Sequence, residues 1–482
     1  MKKPLCIVNY AVNGLGLGHL TRLVAISREV RRLCMLAGVQ HEIFFLTSSE
    51  GDALCYANGF ASFKIPSKNA VRATGLSPHR YKRTAKQWIW NAVNMCNPDV
   101  LVVDTFPGGA FDELYDVLDF GQRNVFIYRA VKSDVASSKR FQSLLGGYHG
   151  IVSIGEQGAH TSVIDTVLAE RTHPVGEVMI RGRDELLSRS DARAMLGLQP
   201  ESLAVYCTCG GGGDSNAEDI LRTYVSVAAH FPDVEFVIGS GHLYHGREYH
   251  APNVRWSQRM MMMECFAAFD AAVGAAGFNT VNELMHASVP CVLLPQQRTY
   301  DDQFARAERI AATGAALFLR ELTEENLTAA LRSVIDNRTV MAEAARAAVP
   351  ANAATDAAMA VLHDVIHTRV VEHSHALRRS SAYPIAIALA RTTRSSEHDA
   401  LMLLRRMDAL IRNEIASEPS GVPDFTPLDE ERFHELFALL PHHLPLQSII
   451  AALKHISQLD GAPRNAVELV ESAVRLAEEH YT

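Results

Sequence analysis

One stretch, residues 274–309, decides the fold, and it reads GAAGFNTVNELMHASVPCVLLPQQRTYDDQFARAER. It begins with a strand-to-helix turn over Ala275–Thr280, with Gly277 at the tightest point. A helix follows and leads into the apolar run Pro290–Pro295, which has the length of a buried strand. A second helix begins beyond that strand. This order of elements predicts one repeat of a parallel α/β sheet.

The same pattern recurs on both sides of this stretch. The apolar runs are continuous rather than alternating, which is typical of strands with helices on both faces. They are LCIVNYAV (5–12), HEIFFLT (41–47), VLVVDTF (100–106), NVFIYRA (124–130), GIVSIG (150–155), SLAVYCTC (202–209), EFVIGSG (235–241), AAFDAAVGAAG (267–277), PCVLLP (290–295) and AALFLREL (315–322). A polar, helical connection between 175 and 205 separates them into two groups. The sequence therefore predicts an α/β protein with two Rossmann-like doubly wound domains that face a cleft, at 1–178 and 179–365.

The character of the chain changes after residue 365. Residues 371–482 contain 11 basic and 16 acidic side chains, and several segments carry apolar residues at helical spacing. Nothing there has catalytic spacing. We predict an acidic, all-helical third domain at 366–482, which would bind a partner or dimerise.

The composition excludes several classes of protein. The 482 residues are 48% hydrophobic and 21% charged, which excludes disorder, collagen and coiled coil as the main architecture. The net charge of −8 argues against nucleic acid as the main partner. No apolar stretch approaches the roughly 18 residues of a transmembrane helix, and the eight scattered cysteines predict reduced thiols. We therefore expect a cytoplasmic protein with no transmembrane segment.

A glycine cluster follows the first predicted strand, where residues 13–22 read NGLGLGHLTR. Gly16 and Gly18 permit a tight turn, and the helix that follows offers free N–H groups to a phosphate or carboxylate. His19 comes directly after them, where a histidine can donate to an oxyanion or act as a base. Anion binding and a purely structural turn both remain open on this motif alone.

A second glycine cluster also lies between a predicted strand and a predicted helix. It consists of Gly210, Gly211, Gly212 and Gly213. Four consecutive glycines lose much backbone entropy on folding, so packing alone explains them poorly. We predict a loop that lets a ligand lie against bare backbone amides, with a flexible surface loop as the alternative.

Polar side chains follow the glycine turn of residues 274–309. Thr280 and Glu283 lie near the start of the first helix, where a carboxylate can accept hydrogen bonds from both hydroxyls of a ribose. Favourable placement near the helix dipole also explains Glu283. Asp302 and Gln303 open the second helix beyond the carboxyl end of a strand, where open α/β sheets bind ligands. A helix N-cap and a surface amide are the alternative for this pair.

Together these motifs resemble the glycosyltransferases built of two Rossmann-like domains, the GT-B type. The chain is similar to the family 28-like group that includes the peptidoglycan N-acetylglucosaminyltransferase that makes lipid II, and to bacterial predicted glycosyltransferases. It is similar to the latter in three sequence patterns. They are Pro98–Gly108, the Glu113-Leu114 pair downstream, and Asp302-Gln303 followed by Arg306–Arg309. The resemblance covers roughly residues 4–365. Relatives often have an asparagine-alanine pair where this chain has Arg306-Ala307, which leaves the transferred sugar open.

The resemblance implies that the second α/β domain holds the nucleotide. Glu283 would bind the ribose, and Asp302 with Gln303 would meet the hydroxyls of the donor sugar. Gly277, Asn279 and Thr280 of the second domain would face the diphosphate. Gly16 and Gly18 of the first domain would close over the phosphates or the transferred sugar.

The activity implied is inverting transfer of a sugar from a nucleotide-sugar donor to an acceptor hydroxyl. The donor would be UDP-linked as first choice, with a TDP-sugar as the other option. His19 is the first choice of catalytic base and Asp104, at the end of a predicted strand, is the second. Glycine-loop amides and helix N-termini would stabilise the leaving diphosphate, so no metal or further cofactor is expected. The acceptor would be a small molecule, a lipid or a glycan, and a lipid would allow peripheral membrane contact.

Two other functions remain open on the sequence. The start of the chain, with Gly16, Gly18, His19 and Arg22, also resembles a nucleotide-sugar hydrolase of pseudaminic acid biosynthesis. The second alternative is a non-catalytic nucleotide-sugar-binding protein whose helical domain binds a partner.

Overall fold

The computed structural model describes residues 3–12, 16–36, 39–155, 166–371 and 466–481, together with Ile449 and Ala452. The chain divides into two compact units. The larger unit comprises Leu5–Val30 and His41–Val361 and holds both β-sheets. The smaller one comprises Met1–Pro4, Arg31–Gln40 and Leu362–Thr482.

The first sheet has seven parallel strands among the described residues, in the order β3-β2-β1-β4-β5-β6-β7. The strands are β1 (Leu5–Ala11), β2 (His41–Thr47), β3 (Ala61–Lys64), β4 (Val100–Asp104), β5 (Arg123–Arg129), β6 (Gly150–Ile154) and β7 (Thr172–Val175). The helices between them are α1 (Gly18–Leu36), α2 (Ala53–Ala57), α3 (Lys68–Ala73), α4 (Pro78–Cys96), α5 (Ser133–Ala136), α6 (Lys139–Leu145) and α7 (Thr166–Ala169). All residues of β1, β4 and β6 are buried, as their continuous apolar runs predict.

The second sheet has six described strands, also parallel, in the order β10-β9-β8-β11-β12-β13. They are β8 (Leu203–Thr208), β9 (Val234–Gly239), β10 (Val254–Ser257), β11 (Ala271–Ala275), β12 (Cys291–Leu294) and β13 (Ala316–Phe318). The helices are α8 (Arg189–Leu196), α9 (Ala217–Ala228), α10 (Phe278–His286), α11 (Gln303–Ala312), α12 (Glu324–Asp336), α13 (Arg338–Ala348) and α14 (Ala354–Val371), with short 3₁₀ helices at Arg183–Glu185 and Met262–Ala268. A further helix spans Ala466–Tyr481.

The strand prediction is confirmed for all ten apolar runs, but it misses three strands. β3, β7 and β10 each lie at an edge of a sheet, where at least one face meets solvent. None of the residues of these three strands is fully buried, so no continuous apolar run marks them. β7 also contains Pro174, which only an edge strand tolerates because proline cannot donate a ladder hydrogen bond.

Each sheet reverses its strand order at one point, between β1 and β4 in the first sheet and between β8 and β11 in the second. The loops that leave the carboxyl ends of such neighbouring strands diverge and open a crevice. The glycine loop after β1, the loop after β4, the loop of four glycines after β8 and the turn after β11 all start at these points. The topology therefore brings the sequence motifs to the carboxyl edges of the two sheets.

The predicted boundaries at 178 and 365 stay predictions, although each sheet lies within its predicted range. The predicted helical domain at 366–482 lies outside the described residues, apart from the end of α14, Ile449, Ala452 and the helix Ala466–Tyr481. None of the helices in the described part of the chain combines the length and apolar composition needed to cross a bilayer.

Candidate active site

A cleft of about 910 Å³ lies within the larger unit and is lined by residues from both sheets. Ten of the residues predicted from sequence line it: Gly16, Gly18, His19, Gly210, Gly211, Gly277, Asn279, Thr280, Glu283 and Gln303. Four others do not line it: Asp104, Gly212, Gly213 and Asp302. The motifs therefore converge on one cavity, although these four predicted residues lie outside its lining.

His19 lies in the first turn of α1, directly after the glycine loop. Its Nδ1 is 3.6 Å from Oδ2 of Asp104, and its ring packs against Phe106 with the centroids 5.4 Å apart. Burial lowers the pKa of His19 below its ordinary value, although Asp104 partly opposes that shift. The imidazole is therefore neutral near pH 7 and able to accept a proton.

Asp104 ends β4 and is only 1% exposed. Nη2 of Arg22 donates to both carboxylate oxygens at 2.9 Å, and Thr105 Oγ1 donates to Oδ1 at 2.6 Å. Burial alone would raise the pKa of Asp104, but Arg22 and His19 outweigh it and lower that pKa to about 2. Thr105 has a φ of 62°, a strained conformation for a β-branched residue. The structure thus brings Asp104 behind His19, at a buried ion pair rather than on the cleft wall.

Asn279, in the first turn of α10, joins the two glycine turns across the cleft. Its Nδ2 donates to the backbone oxygen of Gly18 at 3.2 Å, and its Oδ1 lies 3.5 Å from Nη1 of Arg22. A Cβ built on Gly16 or on Gly277 would meet no atom within 4 Å. Neither glycine has a positive φ, so their missing side chains leave open space in the cleft rather than relieve backbone strain.

The second glycine loop serves two purposes. Gly210 and Gly212 both have positive φ, at 86° and 79°. A Cβ on Gly212 would lie 2.4 Å from the backbone oxygen of Ser240, so this glycine is needed for packing against the loop after β9. Gly210 and Gly211 instead face the cleft. The ligand-facing part of the motif is therefore its first half.

Glu283 lies on α10 with its partly buried carboxyl group on the cleft wall. Burial raises its pKa to about 8. The carboxyl group has no hydrogen-bond partner among the described residues, so it is available to a ligand. Thr280, one helical turn earlier, lines the same wall.

Asp302 and Gln303, at the start of α11, have different contacts. Asp302 is the N-cap residue, since its Oδ1 accepts from the backbone N–H of Ala305 at 3.0 Å. Gln303 is 5% exposed, and its Oε1 accepts from the backbone N–H of Gln296 at 3.0 Å while it lines the cleft. The expected contact of Asp302 with the donor sugar is not supported, because the side chain turns back onto its own helix.

Sequence reasoning missed a second ion-pair cluster. Arg129, at the end of β5, donates to Oδ1 of Asp301 at 2.7 Å, and Arg306 of α11 donates to the same oxygen at 2.7 Å. Both Arg129 and Asp301 line the cleft. One signal was available, because Arg129 stands at the carboxyl end of a correctly predicted strand. Asp301 gave no signal beyond its position next to Asp302.

No group of three or more His, Cys, Asp or Glu side chains suited to a metal ion occurs in the described part of the chain.

Replacing Asp104 by Asn should destabilise the protein in a pH-dependent way. The pKa of Asp104 falls from 3.8 to about 2 on folding, so its ion pair contributes stability above about pH 4, and this is lost as the pH falls towards 2. The shift corresponds to about 2 kcal/mol. We expect the thermal midpoint of Asp104→Asn to lie below that of the wild type at neutral pH and to approach it near pH 2. Asp219→Asn, which removes an exposed pair with Arg222, should have little effect at any pH. A pH-independent difference for Asp104→Asn would contradict the assignment.

Residues 245–361 match the family model of the glycosyltransferase family 28 C-terminal domain. Among curated relatives, the UDP-N-acetylglucosamine–N-acetylmuramyl-(pentapeptide) pyrophosphoryl-undecaprenol N-acetylglucosamine transferase of Aquifex aeolicus is 28% identical over 155 residues, which are 31% of this chain and 45% of that protein. The transferase of the same name from Symbiobacterium thermophilum is 32% identical over 217 residues, 41% of this chain and 56% of that one. The chain thus spans about half the length of the curated relatives it matches.

Solved structures share the fold at low sequence identity. The spinosyn forosaminyltransferase SpnP superimposes with a TM-score of 0.52 and 15% identity over 76% of this chain and 99% of that one. The glycosyltransferase SnogD from Streptomyces nogalater gives a TM-score of 0.51 and 14% identity, over 75% and 99%. These matches support the resemblance drawn from the motifs: residues 245–361 match the family model of the glycosyltransferase family 28 C-terminal domain, and the chain has the two-sheet fold of the GT-B glycosyltransferases.

Proposed function

We propose that this protein is a glycosyltransferase that moves a sugar from a nucleotide-sugar donor to an acceptor hydroxyl, with inversion at the anomeric carbon and without a metal ion. One observation carries the proposal. His19, a neutral base from the first sheet, and Glu283, an unpaired carboxyl group from the second, line the same cleft. A transferase needs both a base that removes the acceptor proton and a binding site for the donor.

His19 acts as the general base. Nδ1 of His19 lies 3.6 Å from Oδ2 of Asp104 and 3.4 Å from Nη2 of Arg22. The base function requires the tautomer whose Nδ1 proton points to the Asp104 carboxylate, because that tautomer leaves a lone pair on Nε2. When Nε2 accepts the acceptor proton, the buried carboxylate stabilises the imidazolium that forms. Asp104 is therefore a positioning residue, since Arg22 and Thr105 already occupy its oxygens and it does not reach the cleft.

The reaction balances without an additional reagent. The acceptor oxygen forms a bond to the anomeric carbon from the face opposite the diphosphate, while the bond from that carbon to the diphosphate oxygen breaks. The electron pair of the broken bond stays on the diphosphate, and the acceptor proton moves to Nε2 of His19. The attack from the opposite face inverts the configuration.

The second sheet supplies the donor site. Glu283 would accept hydrogen bonds from the ribose, and Thr280, Gly210 and Gly211 would face the phosphates near the N-terminus of α10. Gln303 would meet the donor sugar. UDP is the first choice of nucleotide because the curated relatives carry UDP-N-acetylglucosamine in their names, and a related fold is known with thymidine diphosphate bound.

The first sheet supplies the acceptor site. Its side of the cleft carries apolar walls, among them Phe106, Phe111, Val135 and Leu144. These suit an acceptor with an apolar body, and the names of the curated relatives include a polyprenyl carrier. We place the reaction in the cytoplasm, with peripheral membrane contact if the acceptor is a lipid.

His19→Ala should lower turnover by about 10²–10⁴-fold, because it removes the general base that takes the acceptor proton. UDP affinity should stay within about twofold, since His19 does not hold the nucleotide. Turnover with the donor and an accepted acceptor, together with calorimetric titration of UDP, measures both. The matched control is His230→Ala, a surface histidine paired with Glu324 outside the cleft. Unchanged turnover in His19→Ala would remove the histidine from the mechanism.

Glu283→Gln should have opposite effects on binding and on stability. Replacing one oxygen of the carboxyl group by an amide nitrogen removes an acceptor for the ribose hydroxyls and weakens UDP binding by about tenfold or more. The free protein should become more stable at pH 8, because folding raises the pKa of this carboxyl group from 4.5 to about 8 and the wild type therefore loses stability as the pH rises through that range. Thermal midpoints across pH and UDP titrations test the two halves, with Glu324→Gln as the surface control. Wild-type UDP affinity in Glu283→Gln would exclude the ribose contact.

Donor and acceptor dependence distinguishes the proposal from its alternatives. A transferase releases the nucleotide rapidly only when the acceptor is present. Rapid release from donor alone would identify a nucleotide-sugar hydrolase, and tight UDP-sugar binding with no turnover for any acceptor would identify a binding protein.

A further inference from the structure

Two aromatic rings, those of Phe106 and Tyr300, meet in the cleft beside the proposed base. The ring of Phe106 packs against the imidazole of His19 with the centroids 5.4 Å apart, and against the ring of Tyr300 at 5.3 Å. The planes of Phe106 and Tyr300 stand at 80° to each other, and both residues line the cavity. We call this pair the aromatic corner. Phe106 follows β4 of the first sheet and Tyr300 follows β12 of the second, so the corner forms only where the two sheets' loops meet.

The backbone around Tyr300 is held against the first sheet's loops by contacts that do not use its ring. The backbone N–H of Lys132 donates to the backbone oxygen of Tyr300 at 3.0 Å, and Nζ of Lys132 donates to the backbone oxygen of Arg298 at 2.6 Å. Arg129 donates to Oδ1 of Asp301 at 2.7 Å. Truncation of the Tyr300 side chain would therefore leave this segment in place.

The same segment also reaches the side of the cleft proposed to hold the donor. Arg298 donates to both carboxylate oxygens of Asp214, at 2.6 and 2.5 Å, and Asp214 directly follows the second glycine loop. Tyr300 thus lies between the loop proposed to face the donor and the Phe106 ring that packs on His19. A hydroxyl that attacks the donor sugar must lie where these two sides of the cleft meet.

The Tyr300 ring keeps a large uncovered surface. Tyr300 is 45% exposed although it lines a cavity, and its hydroxyl makes no hydrogen bond with the residues that the structure describes. Phe106 is only partly buried. Phe111, Val135 and Leu144 continue the apolar wall on the first-sheet side. Aromatic surface left open in a cleft gains free energy when a ligand covers it, so this surface is suited to binding.

The angle between the two rings favours one shape of ligand. A ring of the ligand can stack on the face of one aromatic side chain while its edge meets the face of the other. These are the two arrangements that aromatic contacts prefer. Sugar rings, with their C–H faces, and aromatic rings both have this shape. A linear chain gains nothing from the right angle.

We propose that Tyr300 and Phe106 bind the acceptor and select one whose reacting hydroxyl is carried by a ring, either a sugar ring or an aromatic ring. This inference rests on the proposed sugar transfer and assigns acceptor specificity to the aromatic corner. The ring of the acceptor lies in the corner, and its hydroxyl points to Nε2 of His19, which takes the proton. The bonds formed and broken are those of the sugar transfer.

Packing between the loops of the two sheets is the competing explanation for the contact of Phe106 with Tyr300. If the contact only fixes Phe106 and, through it, His19, its loss slows every reaction of the donor, hydrolysis by water included. If the corner binds the acceptor, its loss weakens acceptor binding and spares hydrolysis, because water needs no aromatic surface. The two explanations therefore differ in how transfer and hydrolysis change relative to each other.

The test compares Tyr300→Ala and Tyr300→Phe with the wild type. The acceptor probes are para-nitrophenol for an aromatic ring, methyl glucoside for a sugar ring and butanol for a hydroxyl on a linear chain. Saturation-transfer NMR in the presence of UDP measures the binding of each probe. Product analysis with UDP-N-acetylglucosamine and TDP-glucose measures transfer to the probes and hydrolysis of the donor. The ring probe that binds identifies the kind of ring.

The wild type should bind at least one ring probe more strongly than butanol and glycosylate it. Tyr300→Ala should raise Kd and KM for that probe by about tenfold, and leave UDP affinity and donor hydrolysis within about twofold. Tyr300→Phe should retain the affinity for the ring probe, because the ring and not the hydroxyl makes the contact. Tyr115→Ala, which removes an exposed tyrosine outside the cleft, is the matched control.

Each outcome decides one way. Wild-type affinity for the ring probe in a folded Tyr300→Ala overturns the acceptor role, and so does a parallel fall of transfer and donor hydrolysis. A wild type that binds neither ring probe, or binds butanol as well as either, overturns it too. If Tyr300→Ala does not fold, Tyr300→Leu, which keeps the bulk and removes the aromatic face, decides by the same measurements. A wild type that binds the ring probe through Tyr300 but transfers no sugar overturns the proposed function and leaves the ring-binding corner standing.

Discussion

The ion pair between Arg22 and Asp104 is the constraint on which the site depends. It joins α1, which carries His19 directly after the glycine loop, to the end of β4, at the point where the first sheet reverses its strand order. The pair fixes the charge behind the histidine, and through Asn279 it also reaches the second glycine turn. Asp104 is buried, and its lowered pKa keeps it ionised at neutral pH. Its carboxylate therefore lies next to the imidazole of His19 without lining the cleft itself.

Several features around the cleft lower the stability of the fold. Thr105 holds a left-handed conformation that a β-branched residue avoids, and it places its hydroxyl on Asp104. Glu283 keeps a carboxyl group in surroundings that raise its pKa to about 8, and Nε of Arg22 and Nε of Arg129 are buried without a hydrogen-bond partner among the described residues. Each feature costs free energy in the empty protein, and each faces or supports the same cleft. Under the proposed function, the hydroxyls of a nucleotide-sugar would satisfy the Glu283 carboxyl group.

Much of the candidate site could be predicted because its parts are local in sequence. Gly16, Gly18 and His19 follow one strand, and Gly277, Thr280 and Glu283 follow another, so topology alone carries them to the cleft. The structure differs from the sequence-based expectation at single residues. Asp302 turns back to cap α11 while its neighbour Asp301 faces the cleft, and the sequence contains no signal that distinguishes the two. Gly212 and Gly213 belong to the same glycine run as Gly210, but the packing of Gly212 against Ser240 directs that half of the loop away from the ligand side.

The sequence by itself determined the parallel α/β class and the ten core strands, because burial on both faces requires continuous apolar runs that are visible in one dimension. It also determined which loops carry glycine and which helix starts carry Glu283 and His19. Only the tertiary structure decided which charges meet. Arg22 and Asp104 are 82 residues apart, and Arg129 and Asp301 are 172 apart. Electrostatic interactions depend on distance in space and on burial, and neither quantity exists for such pairs until the sheets have formed and packed. The position of Asp104 behind His19 and the Arg129–Asp301 pair follow from that packing.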